Sequence, residues 1–231
     1  LDILNVRHLC KTYGFGESSV NALKDASFSM QKSEFTAIVG ESGSGKTTLL
    51  NLIGGLDNPT SGQVFLSGRE LFSMKEQERT IFRRRNIGFI FQSFQLIPEL
   101  TVEQNIMFPL LLDYQKPNME RVNELLAILG LTGRRNHLPS QLSGGQQQRT
   151  AIGRALIHNP MLILADEPTG NLDSKSSQEV MELLTRAAHH YRQTVLMITH
   201  NTGLTAYADR VLRVSDGNLT DLGGRPDEKL S

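Results

Sequence analysis

The run Gly40-Glu-Ser-Gly-Ser-Gly45-Lys46-Thr47 spaces its glycines, lysine and hydroxyl as a phosphate-binding loop does. Glycines let the backbone curl until successive N–H groups point inward, and a helix opening behind the loop adds partial positive charge. Lys46 is placed to reach the outer phosphates and the Thr47 hydroxyl to ligate Mg²⁺, so the loop points to a nucleoside triphosphate. Met161-Leu-Ile-Leu-Ala-Asp166-Glu167 ends an apolar run in two carboxylates. Asp166 suits a hard cation that wants oxygen ligands, and Glu167 could polarise an attacking water as general base. A third motif, Leu142-Ser143-Gly144-Gly145-Gln146, reads as an N-cap with glycines opening a helix over Gln146–Ile157. That makes a second anion-binding helix end. One phosphate group rarely needs two from one subunit, so this one serves a nucleotide on a second copy.

These motifs need elements to hold them. Four short apolar runs, Phe35–Val39, Ile87–Phe91, Leu162–Ala165 and Val195–Thr199, suit strands buried on both faces of a parallel sheet. Helical periodicity lies between them, at Lys46–Ile53, at Met119–Leu129 and around Val180, Leu184 and Ala187. Strands alternating with helices imply an α/β fold. Val6–Tyr13, Leu23–Met30 and Gln63–Leu66 read instead as antiparallel strands, and the stretch 93–140 as helical without strands. Each buried run stops at a glycine or polar residue: Gly40, Gln92, Asp166-Glu167 and His200. Ligands in open α/β sheets bind beyond the carboxyl ends of strands, so these ends are expected to meet at one site.

Composition sets bounds. The 231 residues carry 24 Lys+Arg against 24 Asp+Glu, so the chain is not a uniformly basic nucleic-acid binder. Cys10 is the only cysteine, which excludes an internal disulfide and is expected to be a small buried hydrophobe. The longest apolar stretch, around Ile106–Leu112, holds Pro109 and falls far short of the ~20 residues of a membrane span. The triplet Arg83-Arg84-Arg85 is expected on a solvated helix face, and the polar tail from Gly223 is expected to fray.

With these motifs in this order, the chain resembles the ATP-binding subunits of ABC transporters, over essentially its whole length. The resemblance rests on the phosphate loop, Gln92, Leu142-Ser-Gly-Gly-Gln146, the carboxylate strand, Asn171-Leu172-Asp173 and His200. Phe82-Arg-Arg-Arg-Asn-Ile-Gly-Phe-Ile-Phe-Gln-Ser-Phe, Leu100-Thr-Val-Glu-Gln-Asn-Ile and Ala165-Asp-Glu-Pro-Thr-Gly-Asn-Leu-Asp add likeness to one subgroup, which holds lipoprotein-release, macrolide-export, cell-division and antimicrobial-peptide-resistance ATPases.

The resemblance implies a P-loop NTPase core with a mostly parallel sheet, a small antiparallel β layer and an inserted helical subdomain at about 93–142, all in one domain over 1–231. It implies that ATP is held by Tyr13 stacking on adenine and by Gly40, Ser42, Gly43, Ser44, Gly45, Lys46, Thr47 and Thr48. Ser143, Gly144, Gly145 and Gln146 would contact the γ-phosphate bound by a second copy, with Asp173 at the dimer seam. Magnesium would be held by Thr47, Gln92 and Asp166. Glu167, His200 and Gln92 would be catalytic, His200 orienting the water and Gln92 reporting nucleotide state to the helical insertion, where Phe94, Leu96, Ile97 and Leu100 are candidates for a docking groove. The expected function is ATP hydrolysis in a head-to-tail homodimer that drives an integral membrane permease, of an ABC transporter or a mechanotransmission system, at the cytoplasmic face of the cell membrane, exporting or extracting lipoproteins, peptides or drugs, with no nucleic-acid partner. The alternative is a soluble ABC-type ATPase acting on DNA or the ribosome. Against it, only 95 positions separate Thr47 from Leu142, without the sustained heptads of a coiled-coil insert, and the chain carries one cassette.

Overall fold

The computed structural model describes residues 2–224 and resolves into two compact units, Leu1–Arg83 with Thr194–Ser231, and Arg84–Gln193. The first unit opens with β1 (Asp2–Tyr13), β2 (Val20–Gln31), β3 (Phe35–Val39), α1 (Lys46–Ile53), β4 (Ser61–Leu66) and β5 (Arg69–Glu70). The chain leaves it along α2 (Glu76–Asn86). The second unit holds β6 (Ile87–Phe91), α3 (Val102–Leu112), α4 (Met119–Ile128), α5 (Gly144–Leu156), β7 (Leu162–Asp166) and α6 (Ser174–Tyr191). The chain returns to the first unit with β8 (Thr194–Thr199), β9 (Arg210–Ser215) and β10 (Asn218–Gly224).

In the first unit β3 runs parallel to both β8 and β9, and β10 pairs antiparallel with β9. Every residue of β3 and β8 is buried, as continuous apolar runs require of strands covered on both faces. Leu49, Leu50, Leu52 and Ile53 of α1 are fully buried, each contributing about 1.5–3 kcal/mol of transfer free energy. β1 lies between β2 and β4 in a separate antiparallel sheet that β5 extends. Cys10 is half-buried there rather than a core hydrophobe. The β1–β2 register shifts beside it, and its sulfur accepts from the Asp25 N–H at 3.3 Å. The tail reading also changes: Gly223 and Gly224 pair with Val211 and Arg210 at the end of β10, while residues 225–231 lie outside the described residues.

In the second unit β6 and β7 are parallel. Between Ser93 and Leu142 the backbone holds α3, α4 and two 3₁₀ turns, and no strand. The α3 helix is set by a capping box, Thr101 accepting from the Gln104 N–H while Gln104 accepts from the Thr101 N–H, and it continues through Pro109. Gly88 lets β6 approach α5: a Cβ there would lie 2.5 Å from the Ala155 carbonyl oxygen. Because that neighbour is backbone, Gly88→Ala is expected to destabilise the chain by about 1–3 kcal/mol, read as a lower denaturation midpoint.

The arginine triplet is not simply solvated. Arg83 donates to the Gly55 carbonyl at 2.7 Å within the first unit, whereas in the second Arg84 donates to the Leu112 carbonyl and Arg85 to Asp113 at 2.8 Å. Backbone carbonyls at the ends of α1 and α3 supply acceptors that sequence spacing does not display.

Candidate functional site

The phosphate loop lies between β3 and α1 in the first unit, and its glycines have definite jobs. A Cβ on Gly40 would meet the Val214 carbonyl oxygen at 2.1 Å, and one on Gly45 the Ala22 carbonyl oxygen at 2.2 Å. Gly45 is also the α1 N-cap, at φ 109°, a conformation side chains disfavour. Lys46, only 7% exposed, folds back over the loop, its Nζ donating to the Gly40 carbonyl at 2.9 Å and the Glu41 carbonyl at 2.6 Å. Ser44 Oγ is buried with no protein partner, as befits a loop whose interior polar groups await a ligand.

One side of the loop borders a cavity of about 850 Å³, lined by Gly40, Ser42, Gly43 and Ser44 with His200 and Arg213. The other side borders one of about 360 Å³, where Gly45, Lys46, Thr47 and Thr48 face Asn21 and Lys24. Parallel register explains His200: Val39 pairs with Thr199, so the residues that follow, Gly40 and His200, leave the sheet at the same edge. Tyr13 ends β1 and is 43% exposed, with its hydroxyl donating to Asp57 at 2.8 Å. Burial, then the Asp57 hydrogen bond, pushes the phenol pKa up, although a hydrogen bond to Thr48 in α1 opposes this.

In the second unit Phe91 pairs with Asp166, so Gln92 and Glu167 likewise leave adjacent strands at one edge. Glu167 stands at φ 45°, in the left-handed region that a non-glycine residue occupies at a cost of about 1–3 kcal/mol. Gln92 and Asn171 bond reciprocally: Gln92 Nε2 donates to Asn171 Oδ1 at 3.1 Å, and Asn171 Nδ2 to the Gln92 carbonyl at 3.1 Å. Gly170 makes room for this, since a Cβ there would lie 2.7 Å from Gln92 Nε2.

Ser143 caps α5 as anticipated, but the helix begins at Gly144, so the glycines form its first turn. Ser143 Oγ accepts from the Gln146 N–H, and Gln146 Oε1 from the Ser143 N–H at 3.0 Å. This capping box leaves an ordered, donor-rich helix end. Asp173 caps α6, accepting from the Ser176 N–H at 3.0 Å and its hydroxyl at 2.7 Å; these bonds hold the carboxyl below the usual aspartate range.

Arg154 and Asn105, to which residue spacing assigns no role, shape the loop after Gln92. Phe94 and Gln95 are both left-handed, at φ 61° and 51°, and Arg154 of α5 donates to both their carbonyls. Burial pushes the Arg154 pKa down. Asn105 of α3, fully buried, donates to the carbonyls of Ile97, Leu100 and Thr101 and accepts from the Ile97 N–H at 2.8 Å. Phe94, Leu96, Ile97 and Leu100 are half-buried. A groove of about 310 Å³ in this unit is lined by Phe89, Phe91, Pro109 and Leu112 with Arg84 and Arg154.

Among the described residues no cluster of three or more His, Cys, Asp or Glu could hold a metal unaided, and no helix is long and apolar enough to cross a membrane. The Thr47 hydroxyl in the first unit and the Asp166 carboxylate in the second are each the kind of oxygen donor that a hard cation such as magnesium takes.

The sequence model described as ABC transporter matches residues 23–170. The uncharacterized ABC transporter ATP-binding protein MJ1508 of Methanocaldococcus jannaschii is 46% identical, over 95% of this chain and 99% of its own length. The macrolide export ATP-binding/permease protein MacB of Chlorobaculum tepidum is 43% identical over the whole chain, which spans 35% of that protein. The cassette MJ0796, solved as a dimer in a post-hydrolysis state with ADP and Pi, superposes at a TM-score of 0.84 with 40% identity, covering 96% of this chain and 99% of that one. Together with the loop, carboxylate strand and capped glycine helix described above, these matches make the chain a member of the ABC transporter family, as an ATP-binding and ATP-hydrolysing cassette.

Proposed function

We propose that the cassette works as a head-to-tail homodimer around two Mg·ATP and drives an integral membrane permease from the cytoplasmic face of the membrane. The carrying observation is that one chain builds two glycine-bordered helix starts, at Gly45–Lys46 and at Ser143–Gly145, each of the kind that suits an anion. The dimeric MJ0796 structure and the fusion of ATP-binding and permease functions in MacB support this reading. The cargo class is that of the subgroup: lipoproteins, peptides or drugs moved outward or extracted.

In this scheme Gly40, Ser42, Gly43, Ser44 and Gly45 offer loop donors to the phosphates, Lys46 neutralises the outer ones, and Thr48 and Tyr13 hold the remainder of the nucleotide. Thr47, Asp166 and Gln92 would hold magnesium, which would supply charge neutralisation. Glu167 takes the proton of the attacking water, and His200 orients that water against the γ-phosphate. From the second copy, Ser143, Gly144, Gly145 and Gln146 close on the γ-phosphate, with Asp173 at the seam. ATP thereby has a large differential affinity for the closed dimer, which hydrolysis removes.

Mixing Ser143→Arg chains with Lys46→Ala chains tests the sharing. Random mixing leaves one intact site in each mixed dimer, so roughly a quarter of wild-type turnover should return if the sites act independently. Mixtures as inactive as either variant alone would argue against independent shared sites. Capture of the tagged chain from detergent-solubilised membranes tests the partner: a stoichiometric integral membrane protein is expected. Recovery from the soluble fraction with DNA-repair or ribosomal proteins would favour the alternative ATPase.

A further inference from the structure

From the geometry around Tyr13 we infer that Lys11 and Asp57 are positioning residues: they lock the ring in place and cover one of its faces, leaving the opposite face as the stacking surface for the nucleotide base. This rests on the reading that Tyr13 stacks on that base.

Lys11 Nζ sits 4.7 Å from the centroid of the Tyr13 ring, in cation–π range. The same ammonium donates to Asp57 Oδ1 at 2.8 Å and to the Asn58 carbonyl at 2.7 Å, while the other carboxylate oxygen, Oδ2, accepts from the Tyr13 hydroxyl at 2.8 Å. One carboxylate therefore ties down both the ring and the cation on its face. Burial opposes ionisation of Asp57, yet the hydrogen bonds from Lys11, Tyr13 and the Asn58 N–H outweigh it and hold the carboxyl below its usual range. The Lys11 side chain is only 12% exposed, so its stem and charge are committed to this arrangement.

The clamp also sets the ring against the phosphate loop. Asp57 follows α1, and the Leu56 N–H donates to the Asn51 carbonyl of that helix at 2.8 Å. Since α1 begins at Lys46, a short hydrogen-bonded path joins the tyrosine to the residue that meets the phosphates. Without it, Tyr13 would be the last residue of a strand leading into Gly14 and a 95% exposed Phe15, where backbone order is weakest. A platform ordered before binding spares the nucleotide that ordering cost. Stacking accepts any base, so the clamp adds affinity and little base discrimination.

The test compares Kd for Mg·ATP with Kd for Mg·tripolyphosphate, which lacks base and ribose, by calorimetry on the full chain. Lys11→Met should weaken Mg·ATP about 3–10-fold and leave Mg·tripolyphosphate unchanged. Asp57→Asn, which keeps an acceptor but loses the charge, should move the ratio in the same direction, and Lys11→Arg should restore most of it. Tripolyphosphate binding reports that the loop is still folded. An unchanged ratio in Lys11→Met and Asp57→Asn, with a raised ratio in Tyr13→Ala, would overturn the clamp alone. An unchanged ratio in Tyr13→Ala as well would overturn the stacking reading beneath it. Equal weakening of both ligands by Lys11→Met would make Lys11 a support of the fold, not of the platform.

Discussion

Glu167→Gln should bind ATP with wild-type affinity, lose about 10²–10⁴-fold in turnover, and accumulate as an ATP-dependent dimer. The substitution keeps the side chain's size and its place directly after β7, and removes only the negative charge and basicity. A loss of this size corresponds to about 3–5 kcal/mol of barrier, the range in which positioned proton acceptors act. Affinity stays because the phosphate-binding donors, the loop N–H groups and Lys46, are untouched. The strained backbone at φ 45° is consistent with a carboxylate held for a task rather than for packing. Steady-state phosphate release gives the turnover, and light scattering at saturating Mg·ATP gives the mass. A monomer under those conditions would count against a composite site, and unimpaired turnover would remove Glu167 as the base.

Lys46→Ala should act earlier, on binding itself, weakening ATP by roughly 10–100-fold as a charge-assisted contact to phosphate is lost. The structure adds a second reason for a large effect. Lys46 is nearly buried, and its ammonium cross-links the Gly40 and Glu41 carbonyls, so alanine also releases the curl of the loop. Both consequences fall on the same measurement, nucleotide affinity by calorimetry. An unchanged Kd would take Lys46 out of its assigned role. The two variants therefore separate binding from chemistry: one binds without turning over, the other fails to bind.

What was legible in the sequence was local. The phosphate loop, the capping box of Ser143 and Gln146, and the apolar runs ending in Gly40, Gln92, Asp166 and His200 each depend on residues within a few positions of one another. Chain-local chemistry is what residue spacing encodes, because a helix cap or buried strand is specified by its immediate neighbours. The buried strand readings came within a residue of the observed bounds for the same reason.

The remainder was decided by tertiary contacts between positions far apart in the chain. Lys11 meets Asp57 46 residues away, Arg154 reaches Phe94 across 60, and Arg85 reaches Asp113 across 28. Acceptors such as the Phe94 and Gly55 carbonyls are backbone groups, which every residue carries and no sequence pattern marks. That is why the arginine triplet and Cys10 read as ordinary surface and core, and why no spacing marks Arg154 and Asn105 as the residues that shape the loop after Gln92. The sequence by itself determined the phosphate chemistry and the family. Only the folded chain, by satisfying buried donors and acceptors at long range, decided which side chains hold those motifs in place.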